Sequence, residues 1–284
     1  MTRDSSLVSM LVSSVSGVAE SLFATLFPSD CRFCRSPLIN ISRLPVCQAC
    51  LSEIHPVEGT VCSVCGERLQ TPFADRNGPE EVRCGLCRKM APPFVKAVAY
   101  GSYDGGLREL IHLLKYEQVR PAAVVLGRML KEASNGLDSF GIDQPVVVPV
   151  PLHARKLRQR GFNQSVLIAQ EFIKLASGNM TLQPRVLQRR RETESQIGLT
   201  RHQRRENTRG AFVVSRPQEI AGRDVLLIDD VFTTGTTVSE CARVLLRAGA
   251  SKVLVATVAR TLKHEVKGIE VSQTVDGEIL AATG

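Results

Sequence analysis

The sequence predicts an α/β chain, with a central parallel sheet flanked by helices, preceded by a small cysteine-rich module. Three observations carry that prediction. Short continuous apolar runs at residues 146–150, 226–228 and 253–258 have the pattern of strands buried on both faces of a sheet. Between them, apolar residues recur at helical spacing. Eight of the nine cysteines fall in four Cys-x2-Cys pairs ahead of this alternation, where periodic apolar pattern is scarce. With 284 residues and 43% hydrophobic content, the chain can bury a full core and carry a second small module. The expected divisions are residues 1–27, 28–90 and 91–284.

In residues 1–27, Leu7, Leu11, Val15, Val18, Leu22 and Leu26 recur at helical spacing. A packed amphipathic helix is expected, with weak membrane-surface contact as the alternative. Only Arg3 against Asp4 leads into it, Glu20 interrupts it and no small-x-small cleavage site follows, so a secretory leader is not expected. No run approaches the roughly 20 apolar residues of a membrane span, and the expected location is the cytoplasm.

Residues 28–90 hold the pairs Cys31/Cys34, Cys47/Cys50, Cys62/Cys65 and Cys84/Cys87. A Cys-x2-Cys knuckle turns two thiolates toward one point, and two knuckles complete a tetrahedral four-thiolate zinc site. About two structural Zn²⁺ are therefore expected, each supplying on the order of 10 kcal/mol to a segment with too little apolar surface to hold itself together. A disulfide framework needs an oxidising compartment that nothing in the sequence indicates. Sequential pairing of the knuckles and a crossed arrangement both satisfy the spacing.

From residue 91 the elements follow in order. Residues 95–100 read as a strand. Leu107, Leu110, Ile111 and Leu114 mark one helix, and Ala122, Leu126, Met129 and Leu130 mark a second. A buried strand at residues 146–150 ends among Pro149 and Pro151, and a loop leads on to a helix carrying Ile168, Ala169, Phe172, Ile173 and Ala176, with Asn163 as its cap. After the strand at residues 226–228, a helix from about Val238 presents Val238, Cys241, Ala242, Leu245 and Leu246 on one face, and Gly249 stops it. Cys241 on that face is a packing residue. Residues 253–258 form the next strand.

The most informative stretch lies between these last elements. Asp229 and Asp230 end an apolar strand, Val231 and Phe232 follow, and Thr233, Thr234, Gly235, Thr236 and Thr237 lead into the helix. Free backbone N–H groups and the helix dipole at such a turn attract an anion. The threonine hydroxyls add donors, Gly235 allows close backbone approach, and the acceptor-only carboxylates suit a diol. No Gly-x4-Gly-Lys-Ser/Thr motif occurs anywhere in the chain.

Charge is concentrated in residues 155–216, where 14 Lys/Arg stand against 4 Asp/Glu, a local balance of +10 in a chain of +8. Polar donors are interleaved with this charge, an arrangement suited to phosphate oxygens. Nucleic acid could use the same charge. Beside the two basic stretches that hold most of it, Arg155 to Arg160 and Arg189 to Arg209, the rings are Phe162 and Phe212 alone, which gives a single-strand stacking platform little support.

The strand, acidic pair and Thr-Thr-Gly-x-Thr sequence resemble the phosphoribosyl pyrophosphate (PRPP) loop of type I phosphoribosyltransferases. Further blocks extend the likeness: Tyr103 through Lys115-Tyr116, Val148-Pro149-Val150-Pro151-Leu152-His153 followed by Arg160-Gly161-Phe162-Asn163-Gln164, and Arg191-x-Thr193-x2-Gln196 followed by Arg205-x-Asn207. With the cysteine pairs in front, nearly the whole chain resembles the ComF/GntX family, zinc-ribbon phosphoribosyltransferase-like proteins of which some are tied to competence and DNA uptake.

The resemblance implies a type I phosphoribosyltransferase fold behind a double zinc ribbon. In this chain Asp229 and Asp230 would hold the ribose hydroxyls, and Thr233, Thr234, Gly235, Thr236 and Thr237 would hold the 5′-phosphate. Arg155, Arg160 and Arg191 would face pyrophosphate together with Mg²⁺. Gly161, Asn163, Gln164, Thr193, Gln196 and Arg205 would position these groups or belong to the closing loop. The implied function is PRPP binding with phosphoribosyl transfer to or from an unassigned acceptor. The alternative is a non-catalytic factor that keeps the fold and binds single-stranded DNA or competence-machinery proteins.

Overall fold

The computed structural model describes residues 29–38, 43–69, 82–141, 144–176, 179–191, 203, 206 and 208–262. The expected helix in residues 1–27 lies outside them. Among the described residues, no helix is long and apolar enough to cross a membrane.

Two small cysteine-bearing units come first, and they are built alike. In each, an antiparallel bridge (Asp30 with Pro37, then Val61 with Arg68) closes a tight loop around one Cys-x2-Cys pair. In each, the other pair opens a single helical turn, α1 (Gln48–Ser52) or α2 (Gly85–Lys89). The sulfurs of Cys47 and Cys84 cap these turns by accepting the N–H of Cys50 and Cys87.

The larger part is a five-stranded parallel sheet. It is made of β1 (Ala97–Ser102), β2 (Val146–Pro149), β3 (Thr181–Leu182), β6 (Val225–Phe232) and β7 (Val253–Arg260), in the order β1-β7-β6-β2-β3. A separate antiparallel pair, β4 (Leu187–Arg189) with β5 (Phe212–Val214), lies beside it. The continuous apolar runs are explained by cover on both faces. Leu226 and Ile228 of β6 pack with α3 (Gly105–Tyr116), α4 (Ala122–Ser134) and α6 (Gln164–Leu175), whereas Val225 and Leu227 pack with α7 (Thr236–Arg247) and β5. The expected capping by Asn163 is present, its side chain accepting the N–H of Ser165.

The ribbons are fastened to opposite faces of this sheet. Cys31, Leu44, Val46 and Ile54 join the α3/α4/α6 cluster, and Cys62, Cys65, Cys84 and Cys87 join the α7 cluster. On the first face, the Tyr100 hydroxyl donates to the Ile54 carbonyl at 3.1 Å. On the second, the Ala97 N–H donates to the Val64 carbonyl at 2.7 Å.

Two elements differ from the sequence expectation. The basic residues read as a loop after β2 form α5 (Ala154–Arg160), capped by His153 and ended at Gly161 with φ 79°. Its charge hid it, because none of its residues is buried and no apolar period marks it. The β4–β5 pair escaped notice because each strand is only three residues long.

Candidate functional site

β6 outruns its neighbour β2. Their pairing ends at Pro149 and Ile228, and the Val150 N–H takes the Ile228 carbonyl, yet β6 continues to Phe232. Asp229 and Asp230 stand at the start of this overhang, where the strand has lost one partner and supplies acceptors of its own. Asp229 Oδ1 accepts the Asp230 N–H at 2.9 Å, and Asp230 Oδ1 accepts the Val231 N–H at 3.0 Å.

Both carboxyls are buried and have further partners. The Ser165 hydroxyl at the start of α6 donates to Asp229 at 3.0 Å. Lys115, one residue before the end of α3, forms an ion pair with Asp230, with side chains 14% and 7% exposed. Burial pushes Asp229 up, and the adjacent Asp230 charge pushes it further, to about 8. Burial acts on Asp230 in the same direction, but the Lys115 ammonium overrides it and holds this carboxyl below the usual range. Lys115 is in turn held above its ordinary value by Asp230, against the effect of burial. The shifts describe an acidic pair that titrates as a unit beside the Lys115 ammonium, with Asp229 its more basic member. Burial thus sets the two carboxyls apart, Asp229 being raised and Asp230 lowered.

Beyond the overhang lies the threonine loop. Thr234 Oγ1 and Thr236 Oγ1 are 2.7 Å apart, and Gly235 caps α7 with φ 74°. A Cβ at Gly235 would fall 2.6 Å from the Phe232 ring. Thr236 and Thr237 form the first turn of the 12-residue helix α7, whose N–H groups and positive dipole end face the loop. Thr233 is exposed.

Of the basic residues expected to face pyrophosphate, Arg155 and Arg160 lie on α5 and Arg191 lies just after β4. Arg160 ends α5, donates to Gln164 Oε1 at 2.5 Å, and adds to the field that lowers Asp230. Asn163 joins the end of β2 to the start of α6, donating to the Val150 carbonyl at 3.0 Å while it accepts from Ser165 N–H. Gln164 is buried. Arg155 is exposed on the first turn of α5. Arg191 follows β4 and donates to the Arg209 carbonyl at 2.8 Å. Thr193, Gln196 and Arg205 lie outside the described residues.

The aromatic groups also differ from expectation. Phe162 and Phe212 are buried, and the ring open to solvent beside Arg160 is Tyr116, 67% exposed. The Arg160 guanidinium lies 5.6 Å from its centroid, and His112 meets it edge-on at 5.1 Å. The Tyr103 hydroxyl is 3.2 Å from His112 Nε2. The i, i+4 spacing of His112 and Tyr116, with Lys115 between them, is the sequence signal that could have revealed this cluster.

The cysteines gather as two groups, Cys31/Cys34/Cys47/Cys50 and Cys62/Cys65/Cys84/Cys87, each with its sulfurs within 4.8 Å of one another. The pairing is thus sequential. Cys34 and Cys47 sulfurs are 3.7 Å apart, as are those of Cys65 and Cys84. A tetrahedron with Zn–S bonds of about 2.3 Å has edges of about 3.8 Å, so the residues fit zinc. Backbone N–H groups of Phe33 and Cys47 point at Cys31 Sγ, at 3.4 and 3.3 Å, as they do toward metal-bound thiolates. Both sites support structural zinc.

Residues 115–275 match the phosphoribosyl transferase domain family, and residues 22–88 match the double zinc ribbon domain family. DNA utilization protein YhgH of Escherichia coli strain K12 is 34% identical over 237 residues, covering 83% of this chain and 98% of that protein. The chain belongs to the ComF/GntX family. Two other relatives of this ComF-family chain are Competence protein F of Haemophilus influenzae, 30% identical over 223 residues, and Competence protein ComFC of Bacillus subtilis, 25% identical over 206. These alignments span 75% and 72% of the chain, and 96% and 79% of the respective relatives. Among solved structures, a hypoxanthine phosphoribosyltransferase from Staphylococcus aureus is a distant likeness, with a TM-score of 0.32 and 16% identity over 48% of this chain and 62% of that one.

Proposed function

We propose that this ComF-family protein binds PRPP, or a close phosphoribosyl relative, at the carboxyl end of β6 and moves the phosphoribosyl group to or from an acceptor in the use of DNA. One observation carries the reading: the buried acidic pair on the β6 overhang runs directly into a hydroxyl-rich loop that ends on a helix N-terminus. Asp229 and Asp230 would hold the ribose hydroxyls, with Asp229 giving up its proton when a diol arrives to donate. Thr233, Thr234, Gly235, Thr236 and Thr237 would hold the 5′-phosphate.

In the transfer, the bond from ribose C1 to pyrophosphate breaks and C1 bonds to the acceptor. Pyrophosphate keeps the electron pair, and the acceptor loses a proton. Arg155, Arg160 and Arg191 supply positive charge for the departing polyanion, while Thr193, Gln196 and Arg205 belong to the segment proposed to close over it. Mg²⁺, bound with the ligand through hard oxygen donors, would supply further charge neutralisation.

A second reading keeps the fold without the chemistry and assigns the basic face to single-stranded DNA or to a competence-machinery partner. Its support is Tyr116, an exposed ring with a guanidinium beside it, which is the pairing that stacks unpaired bases.

The deciding experiment is calorimetric titration with PRPP and Mg²⁺. Saturable binding by the wild type, lost in Thr233→Val/Thr234→Val, is the expected result. Absence of binding, with oligonucleotide binding intact, would overturn the first reading in favour of the second.

A further inference from the structure

Arg260 closes β7 and is 3% exposed, so a full positive charge sits in the core at the end of the sheet that bears the site. Its partners belong to two systems. On one side lies the second ribbon, where Arg260 donates to the Cys65 carbonyl and to Glu67 Oε2 at 2.5 Å, with Nη2 3.9 Å from Cys65 Sγ. On the other side lies Phe232, whose ring centroid is 4.6 Å from the guanidinium carbon.

Phe232 has little freedom. Its ring meets Phe94 edge-on at 6.2 Å, and its carbonyl accepts the Thr261 N–H at 3.0 Å. The same ring fills the space under Gly235, leaving no room there for a Cβ. Cys65, Arg260, Phe232 and Gly235 are therefore linked by direct contact, from a cysteine of one metal site to the turn of the threonine loop. The first ribbon has no corresponding route among the described contacts. Its cysteines pack on the opposite face of the sheet, toward α3 and Tyr100.

We infer that Arg260 is a positioning residue that couples occupancy of the second four-cysteine site to the shape of the 233–237 loop, so that zinc there and a phosphate-bearing ligand on the loop stabilise each other. The ligand half of this inference rests on the function proposed above. Zinc fixes the knuckle that presents the Cys65 carbonyl and Glu67. Without it, a buried guanidinium left by those acceptors is strongly unfavourable, so Arg260 follows them and uncovers Phe232. The loop then loses the ring on which Gly235 is seated. Coupling of this kind is reciprocal: each occupant must tighten the other by the same factor.

The test follows zinc release from the full chain into a chromogenic chelator, with and without saturating PRPP. A Cys34→Ser/Cys50→Ser variant identifies the second-site ion. PRPP should slow its release about tenfold, within the 5- to 150-fold range typical of such coupling, and should leave first-site release unchanged. In Arg260→Met the slowing should vanish while second-site zinc stays bound. Phe232→Leu, which leaves the Arg260 contacts to the ribbon in place, should give the same loss if Arg260→Met fails to fold. Equal slowing at both sites, or slowing that survives both substitutions, would overturn the inference. Amide hydrogen exchange in residues 232–238 provides an arm that needs no ligand. Exchange there should rise when the second zinc is stripped and should not respond to loss of the first. If PRPP does not bind at all, the proposed function fails, yet this arm still decides the coupling. Unchanged exchange refutes it.

Discussion

Replacing Asp230 by Asn removes the charge that faces Lys115 but keeps an oxygen for the Val231 N–H. The cost depends on what Asp229 then does. Removing one partner of a buried pair costs about 3–5 kcal/mol when the remaining charge is stranded. Here it is not stranded, because Asp229 is held neutral by burial and by the Asp230 charge, and it can ionise toward Lys115 once that charge has gone. The single variant should therefore lose only about 1–2 kcal/mol, the residue of a less favourable geometry after most of that penalty is avoided. Asp229→Asn keeps an acceptor for Ser165 and for the Asp230 N–H and removes the need to hold a proton in the folded state at pH 7, so it should leave stability there unchanged or raised. The double variant leaves Lys115 with neither acid and should lose the full 3–5 kcal/mol, roughly 2 kcal/mol beyond additivity. Adding Lys115→Met to the double variant should recover most of that loss. Equilibrium urea unfolding of the zinc-saturated protein at pH 7 measures each term. Additivity within about 0.5 kcal/mol would refute the account of Asp229, Asp230 and Lys115 as one charge-sharing unit.

The pH dependence has a definite sign. A raised folded pKa means that the Asp229 contribution to stability is fully present below the unfolded value of about 3.9 and is lost as pH rises through about 8. Asp229→Asn should therefore flatten the fall in wild-type stability between those values, as read by thermal melts across the range; an unchanged slope counts against a protonated Asp229. Metal analysis should return about two Zn²⁺ per chain. The first ion should leave from the site whose Cys34 is exposed, and the second should leave more slowly, since all four of its cysteines are buried against the main core. Calorimetry that shows the fully buried site emptying first would contradict this. Gly235→Ala should cost about 2–4 kcal/mol, combining left-handed backbone strain with a clash against a ring that cannot move aside, and should abolish PRPP binding in titrations. Oligonucleotide binding should weaken in Tyr116→Ala with little change in its salt dependence, whereas Arg160→Ala should reduce the log–log salt slope by about 0.7 if that guanidinium meets a phosphate.

Sequence patterning made the core strands and the long helices legible because each is apolar enough to leave a period. The cysteine spacing did the same for the two metal sites, and the threonine loop declared itself through residue types alone. Other features were not legible, each for a physical reason. α5 is too polar to show a face. Lys115 reads as an ordinary last-turn cation until folding brings α3 against β6. The proton on Asp229 follows from burial, which no local run of residues encodes. The exposed aromatic is hidden in the sequence because Tyr116 is far from Arg160 along the chain and beside it in the fold.

The strand order has a consequence for how the protein is made. Among the described residues, β1 pairs only with β7, and β2 has only the two-residue β3 beside it until β6 arrives. A nascent chain that has emerged as far as β5 thus carries β1 and β2 without the two strands that lie between them. Residues 225–260 lie between β1 and β2, where they join the halves of the sheet, hold Arg260 in place and carry the acidic overhang. Assembly of this kind is dominated by contacts between distant parts of the chain, so it is slow and exposes sticky edges while it waits. The candidate site is accordingly completed late, and a chain released before β6 lacks both its acidic pair and its threonine loop.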